Sequence, residues 1–212
     1  MKPEKLLILG ATGGTGFHLV TQALDAGHDV TAFVRNTSGI PIRHERLRLI
    51  EGSVIDDRLR LAEAVRGRDA IISALGRGAS LTSAGLIGQS VPGIIAAMQL
   101  GGVRRLIMIS AIGVGPAYRD APLFSKVLIR LFLRDLYADK AAGEELVRHS
   151  NLDWTIVQPA QLTNGSLTGT YRAGEDLTHA GIPRISRADV AHFILGQLGD
   201  ATYVGRTVRI GY

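Results

Sequence analysis

An apolar run of strand length ends at a glycine-rich turn near the start of the chain, and this junction constrains the fold more than any other feature. The run is followed by the sequence GATGGTG from Gly10 to Gly16. Gly10 permits a tight turn, Gly13 lets the backbone approach a pyrophosphate, and Gly16 lets the following helix pack closely on the strand. A helical pattern begins at once, and its first N–H groups favour phosphate. The strand–turn–helix context indicates a dinucleotide site rather than an ordinary turn.

Further apolar runs alternate with helical patterns along the chain. Strands are predicted at 29–34, 47–50, 69–74, 105–110, 152–159 and 207–210, and helices at 14–26, 56–66, 83–100, 139–148 and from 186 onward. The strands lack polar alternation, which is typical of a parallel sheet covered on both faces. Right-handed crossovers then predict an α/β fold with a doubly wound parallel sheet, the Rossmann fold, whose ligand lies at the C-terminal strand ends. Those ends carry Gly10, Arg35, Gly52–Ser53, Ala74–Gly76 and Ser110–Ala111.

The composition fits one domain over residues 1–212, with the Gly- and Thr-rich segment 160–185 as a cap on the substrate side. The chain has no cysteine, which excludes disulfides and thiol chemistry, and its six histidines show no metal-ligand spacing, so no metal is expected. No apolar stretch reaches membrane-spanning length, and the N-terminus runs directly into a strand without a signal-peptide pattern. These observations predict a soluble, cytoplasmic protein.

The formal net charge is +5 and the pI is about 9.9. A basic surface is compatible with nucleic-acid binding, and it also attracts a polyanionic dinucleotide. The basic residues are dispersed along the chain with little aromatic interleaving. We therefore expect no nucleic-acid partner.

The residue at the end of the second predicted strand discriminates between the two nicotinamide cofactors. An acidic side chain there binds the ribose 2′-hydroxyl of NAD, whereas arginine accommodates the 2′-phosphate of NADP. Arg35 occupies this position and Asn36 follows it, with no acidic residue nearby. The planar guanidinium suits phosphate, so the sequence predicts NADP(H) as the cofactor.

Three stretches resemble the atypical short-chain dehydrogenase/reductases, in the NAD(P)H-binding group of single-domain proteins. They are the glycine turn with Val34–Asn36, the stretch 150–159 that contains the predicted sixth strand, and the segments 167–171 and 185–191. Within that group the chain most resembles the biliverdin IXβ reductases, also called flavin reductases. The resemblance spans nearly the whole chain, and its first and last motifs are shared by many relatives.

This resemblance implies cofactor contacts at matching positions of the chain. It implies that Thr12, Gly13, Gly14 and Thr15 hold the pyrophosphate and that Arg35 binds the 2′-phosphate. The other implied contacts are Ser53 and Val54 at the adenine, Leu75, Gly76 and Arg77 at the ribose and pyrophosphate, Ser110, Ala111 and Ile112 at the nicotinamide, and Pro159 and Ala160 at its carboxamide. Ser53 departs from the aspartate common in the group, which puts one adenine hydrogen bond in doubt.

Two departures from the family pattern bear on the chemistry. Short-chain dehydrogenases use a Tyr-x-x-x-Lys pair as proton donor, but no tyrosine here has a lysine four residues on, and Lys140 follows Tyr137 by only three. The biliverdin-type histidine after the sixth-strand proline is also missing, since Ala160 follows Pro159. Ser110 and Lys140 are the candidate catalytic residues, and His179 is a further candidate proton donor.

A site without a strong general acid favours an acceptor that can take its proton from solvent after hydride transfer. The sequence therefore predicts an NADPH-dependent reductase of a planar flavin, quinone-like or tetrapyrrole acceptor. The alternative is an NADP(H)-binding redox sensor or regulatory protein with little turnover, which the missing dyad and the basic surface also fit.

The region before the predicted sixth strand carries an apolar stripe from Leu123 to Leu136, interspersed with basic residues. Such a stripe packs in a core or an oligomer more often than it lies on a membrane. We expect no membrane partner, and the stripe leaves a monomer and a homodimer both open.

Overall fold

The computed structural model describes residues 2–76, 84–115, 133–177 and 183–212. In chain order the elements are β1 (Lys5–Leu9), α1 (Gly14–Asp25), β2 (Asp29–Val34), a 3₁₀ turn (Thr37–Gly39), β3 (Leu47–Glu51), α2 (Arg58–Val65), β4 (Ala70–Ser73), α3 (Leu86–Gly101), β5 (Arg105–Ile109), α4 (Arg134–Arg148), β6 (Asp153–Pro159), β7 (Gln161–Thr163), β8 (Arg172–Gly174), β9 (Arg184–Ser186), α5 (Arg187–Gly196) and β10 (Arg206–Gly211). Strands and helices alternate up to β6, as the sequence predicts.

Eight of the strands form one sheet in the order β3-β2-β1-β4-β5-β6-β10-β8. The pairs from β3 to β10 are parallel, and the register is set at the centre by Leu7, which lies opposite Thr31 on one side and Ile71 on the other. The strand order reverses between β1 and β4, so the helices that follow them, α1 and α3, lie on opposite faces of the sheet and leave a crevice at the C-terminal ends of these two strands. The predicted doubly wound parallel sheet is confirmed.

Helices cover both faces of the sheet, and successive side chains of a strand point to opposite faces. Leu6 and Ile8 point into a core formed with α1 and α5, while Leu7 and Leu9 point into a second core formed with α2, α3 and α4. All four leucine and isoleucine side chains have no exposed surface. Continuous apolar strands of this kind predict helices on both sides, as the structure shows.

Several predicted boundaries shift at the element ends. Helix α3 begins at Leu86, because Ala84 (φ 50°) and Gly85 (φ 68°) are left-handed and cannot be helical, and residue 83 lies outside the described residues. Helix α2 begins at Arg58 rather than at residue 56, because Asp56 and Asp57 bind the Ser53 side chain and backbone in a turn.

The predicted cap segment divides between two sheets. Strand β7 pairs with β9 in a small second sheet, whereas β8 pairs antiparallel with β10 and so extends the main sheet. Residues 178–182 of this segment lie outside the described residues. Its role as a lid on the substrate side stays a prediction.

Ser186 is the N-cap residue of helix α5, which agrees with the predicted helix start at residue 186. The Ser186 Oγ accepts a hydrogen bond from the Asp189 N–H at 2.9 Å, as in a capping box. The reciprocal bond differs from that motif, because the Ser186 N–H donates to the Tyr212 Oη at 3.1 Å instead of to the Asp189 carboxylate. The helix start is thus joined to the end of β10.

Candidate dinucleotide site

The turn between β1 and α1 has a geometry that only glycines allow. Gly10 has φ +78°, and a Cβ atom there would lie 2.5 Å from the backbone oxygen of Ala74 at the end of β4. A Cβ atom at Gly16 would lie 2.1 Å from the backbone oxygen of Gly10, far inside van der Waals contact. The Gly13 N–H donates to that same oxygen at 3.0 Å and closes the turn. The roles assigned to Gly10 and Gly16 from their spacing thus have a direct steric basis.

The N-terminus of α1 is open to an anion. Its N-cap residue, Gly13, makes no side-chain cap hydrogen bond, and the first turn of the helix contains no acidic residue. The first N–H groups of a helix need acceptors, and the helix dipole favours a negative charge there. The turn therefore fits a phosphate group.

A cleft of about 480 Å³ opens beside this turn at the C-terminal ends of β1, β2, β3 and β4. Its lining residues include eight that the sequence analysis assigns to the cofactor: Gly10, Thr12, Gly13, Arg35, Ser53, Val54, Leu75 and Gly76. Phe33, Ile55 and Leu86 supply apolar lining. The structure thus brings the phosphate turn, Arg35 and the residues expected at the adenine into one cavity.

The loop that carries Arg35 is fixed against the glycine turn. A Cβ atom at Gly39 would lie 2.8 Å from the Cγ2 of Thr12, so the 3₁₀ turn packs directly on the Thr12 methyl group. The Asn36 Oδ1 accepts a hydrogen bond from the Ser38 N–H at 2.8 Å and caps that turn. Arg35 is exposed at the edge of the cleft, with its charge available to a ligand.

Asp56 is a lining residue that the sequence analysis missed. Its carboxylate accepts a hydrogen bond from the Ser53 Oγ at 2.6 Å, and its N–H donates back to that oxygen at 3.2 Å. The cleft therefore contains a carboxylate although Ser53 stands where aspartate is common. The Ser-x-x-Asp spacing of a local turn is the signal that could have identified Asp56.

A second group of predicted residues lies at the neighbouring ends of β5 and β6, outside the lining of this cleft. The Ser110 N–H donates to the Val157 oxygen at 2.8 Å, and the Ile112 N–H donates to the Pro159 oxygen at 3.2 Å. Ala160 is buried, and its N–H donates to β10. These residues form one continuous strip of strand ends next to the cleft.

The Ser110 hydroxyl is buried and, among the described residues, has no hydrogen-bond partner. A buried hydroxyl without a partner is costly in free energy, and such groups call for an explanation such as a ligand. The Ser110 hydroxyl makes no hydrogen bond to the backbone of the described residues.

Helix α4 carries the other catalytic candidate. Lys140 is partly buried, and burial lowers the pKa of its ammonium group, although the carboxylates of Glu144 and Asp139 oppose that shift. Tyr137 donates its hydroxyl hydrogen to the Ile112 backbone oxygen at 3.3 Å, and burial raises the pKa of this phenol. Tyr137 therefore contacts the β5 strand end through the backbone.

Two carboxylates fix helix α4 in place. Asp139 accepts hydrogen bonds from the Ile87 and Gly88 N–H groups at 3.0 and 2.8 Å and so caps α3. Glu144 is fully buried, where it pairs with Arg148 one helical turn further on and also accepts a hydrogen bond from the Gln158 Nε2 at 2.8 Å. These contacts hold helix α4 against α3 and β6.

Some of the predicted residues are not among those that the structure describes. Arg77, His179 and residues 123–132 of the apolar stripe lie outside them. Among the described residues, no cluster of three or more histidine, aspartate or glutamate side chains has the arrangement of a metal site. Within the same residues, no helix has the length and apolarity needed to cross a membrane.

A comparison with protein families agrees with this geometry. The family model described as NAD(P)H-binding matches residues 10–201, from the first glycine of the turn to just before β10. The chain belongs to the NAD(P)H-binding family. The match covers the turn, Arg35 and the strand ends together.

Curated relatives of this family member are diverse. The chain is 28% identical over 208 residues to the uncharacterized sugar epimerase YhfK of Bacillus subtilis, covering 92% of this chain and 88% of that protein. It is 30% identical over 169 residues to the photosystem II assembly factor Ycf39 of Synechocystis, covering 79% of this chain and 47% of that one.

Solved structures share the fold over nearly the full chain. A short-chain dehydrogenase/reductase of Veillonella parvula in complex with NADP has a TM-score of 0.85 at 23% identity, covering 100% of this chain and 95% of that one. ChuY of Escherichia coli O157:H7, described as an anaerobillin reductase, has a TM-score of 0.80 at 21% identity, covering 97% and 96%. At these identities the likeness shows the Rossmann fold.

Proposed function

We propose that this protein is an NADPH-dependent reductase of the flavin reductase and biliverdin reductase type, which reduces a planar flavin, quinone-like or tetrapyrrole acceptor. The observation that carries the proposal is that the phosphate turn, Arg35 and the expected adenine residues line one cleft, which ends beside the strand ends at Ser110. The likeness to a solved NADP complex and to a protein described as a reductase supports it.

The chain supplies binding, orientation and a dry surface for this reaction. The open N-terminus of α1 binds the pyrophosphate, and Arg35 binds the 2′-phosphate. Bound NADPH supplies the hydride. The Ser110 hydroxyl, which has no partner among the described residues, would donate to the nicotinamide carboxamide or the acceptor, while the buried strand ends of β5 and β6 exclude water.

Proton delivery in this proposal does not need a Tyr-Lys pair. Tyr137 directs its hydroxyl to a backbone oxygen, and burial raises the pKa of the phenol, so it releases a proton less readily than an ordinary tyrosine. An acceptor that is protonated by solvent tolerates this, whereas a ketone requires protonation as the alkoxide forms. Burial lowers the pKa of the Lys140 ammonium group on α4, and a catalytic role for Lys140 stays a prediction.

The test is to mix the purified protein with NADPH and, separately, FMN, riboflavin, dichlorophenolindophenol or biliverdin, and to follow the nicotinamide absorbance band. Steady consumption with at least one acceptor is expected, with a preference for NADPH over NADH. Absence of consumption with all four acceptors contradicts the proposal.

The alternative function is an NADP(H)-binding sensor or regulatory protein with little turnover. The 30% identity to an assembly factor supports it, as does the absence of a Tyr-x-x-x-Lys pair in the sequence. Tight NADP(H) binding without consumption in the same assay favours the sensor. Size-exclusion chromatography with light scattering, with and without NADP(H), distinguishes the monomer from the homodimer.

A further inference from the structure

Arg187, the first residue of α5, lies across the first residue of α1. A Cβ atom at Gly14 would be 2.7 Å from the Cδ and 2.9 Å from the Nε of Arg187, and its three nearest heavy atoms would all belong to this side chain. The arginine therefore occupies the space that the missing side chain of Gly14 leaves. An arginine from the C-terminal part of the fold thus contacts the phosphate turn 173 positions earlier in the chain.

The guanidinium of Arg187 has a neutral partner rather than an acidic one. Its Nη1 donates to the Asn164 Oδ1 at 2.6 Å. Among the described residues, no carboxylate forms an ion pair with Arg187. The neighbouring Asp189 carboxylate is occupied by hydrogen bonds from other groups, including Tyr212 and Thr168. Arg187 thus keeps its positive charge uncompensated beside the turn.

Two independent features of positive polarity meet at Gly14. One is the uncapped N-terminus of α1, which lacks acidic residues in its first turn. The other is the guanidinium, whose Nη1 is held by Asn164 and whose Nε side lies against Gly14. The Nε and Nη2 groups form the edge that binds two phosphate oxygens in parallel. A diphosphate is the anion that suits both features.

We propose that Arg187 is a phosphate-binding residue of the cofactor site, contributed by the last helix, and that Asn164 positions its guanidinium over the pyrophosphate. This inference rests on the proposed NADPH binding, but not on turnover. It also links the predicted cap to the cofactor, because Asn164 directly follows β7 in that segment.

The test measures binding of three nucleotides by calorimetry: NADP⁺, NAD⁺ and adenosine 2′-monophosphate, which has no pyrophosphate. Arg187→Gln should weaken NADP⁺ and NAD⁺ by the same factor, about tenfold, because a charge-assisted hydrogen-bond pair is lost. Binding of adenosine 2′-monophosphate should not change. Arg187→Lys should recover part of the loss, and Asn164→Ala should cost about threefold for the dinucleotides alone.

Arg184→Gln is the matched control, since it removes an exposed arginine three residues away from the same segment. It should leave all three affinities unchanged. An equal loss for adenosine 2′-monophosphate in Arg187→Gln or Arg187→Lys would show a general structural effect and overturn the inference, as would unchanged NADP⁺ affinity. If the variants change nucleotide affinity as expected but the wild-type protein consumes no NADPH with any acceptor, the proposed reductase activity is refuted and the role of Arg187 in binding is retained.

Discussion

The carboxylate of Asp189 accepts the hydroxyl hydrogen of Tyr212 over 2.6 Å, and the same carboxylate binds the backbone N–H groups of Thr168 and Gly169 at 2.9 and 2.8 Å. The Oγ of Ser186 also donates to it, at 2.9 Å. One fully buried aspartate therefore joins α5, the end of β10 and the loop of the predicted cap. Burial alone would raise its pKa, but these donors together lower the pKa to about 2.

Asp189→Asn should destabilise the protein at neutral pH. The asparagine amide carries no charge. Its NH₂ group is a hydrogen-bond donor, so it would face N–H and O–H donors whose hydrogen bonds the carboxylate accepts in the wild type. Because a buried, charged acceptor of several hydrogen bonds is lost, we expect the free energy of unfolding at pH 7 to fall by about 2 kcal/mol. The measurement is urea denaturation, with Asp25→Asn at the exposed end of α1 as the control that should change it little.

The same aspartate predicts a pH dependence. Its pKa in the folded protein, about 2, lies below the ordinary value of 3.8, so the folded state favours the ionised form. The stabilisation is complete above about pH 5 and is lost as the pH falls through about 2. The stability difference between wild type and Asp189→Asn should therefore shrink from pH 5 to pH 2. A difference that stays constant over this range would contradict the assignment.

Gly16→Ala should strongly destabilise the β1–α1 unit. The new Cβ would lie 2.1 Å from the Gly10 oxygen and 2.8 Å from the Ala11 Cα, both backbone atoms that cannot move independently. We expect a loss of about 3 kcal/mol or more in the free energy of unfolding. The control is Gly196→Ala at the end of α5, where a Cβ would meet nothing within 4 Å and should stabilise by about 0.5 kcal/mol. Thermal or urea unfolding of both variants checks the contrast.

Local patterns in the sequence were enough to predict the sheet and the phosphate turn. Continuous apolar strands require a buried parallel sheet, and the Gly10–Gly16 spacing fixes how the chain leaves its first strand. Arg187 could not be predicted, because its contact with Gly14 depends on how α5 packs against α1. Nor did the pattern place β8 in the main sheet, since three residues of mixed polarity carry no period of two. Contacts between residues distant in sequence depend on how the elements pack, and local sequence patterns do not indicate that packing.

Ser110→Ala should separate a binding role from a structural one. Removing a buried hydroxyl that has no partner among the described residues relieves a desolvation cost, so the free energy of unfolding should stay within about 1 kcal/mol of wild type or rise. NADPH consumption should fall about fivefold if the hydroxyl binds carboxamide or acceptor. Ser90→Ala is the matched control, since Ser90 also has a buried hydroxyl with no partner among the described residues but lies within helix α3 rather than at the C-terminal end of a strand. Equal kinetics for both variants would refute the role of Ser110.

Arg35→Gln should change the choice of cofactor. Arg35 lies at the edge of the cleft on a loop held by Asn36 and by the contact of Gly39 with Thr12, so the substitution should remove a charge without moving the loop. NADP⁺ should bind about tenfold more weakly, because an exposed guanidinium–phosphate pair is lost, and NAD⁺ affinity should hardly change. Arg66→Gln, at the opposite end of α2 from the cleft, should leave both affinities unchanged. Calorimetric titration of the three proteins with both nucleotides gives the ratio directly. If the ratio of NADP⁺ affinity to NAD⁺ affinity stays at its wild-type value in Arg35→Gln, the 2′-phosphate is recognised elsewhere. Arg187→Gln is expected to weaken both nucleotides equally and to leave this ratio unchanged. A ratio that falls only in Arg35→Gln would therefore assign Arg35 to the 2′-phosphate and Arg187 to the pyrophosphate.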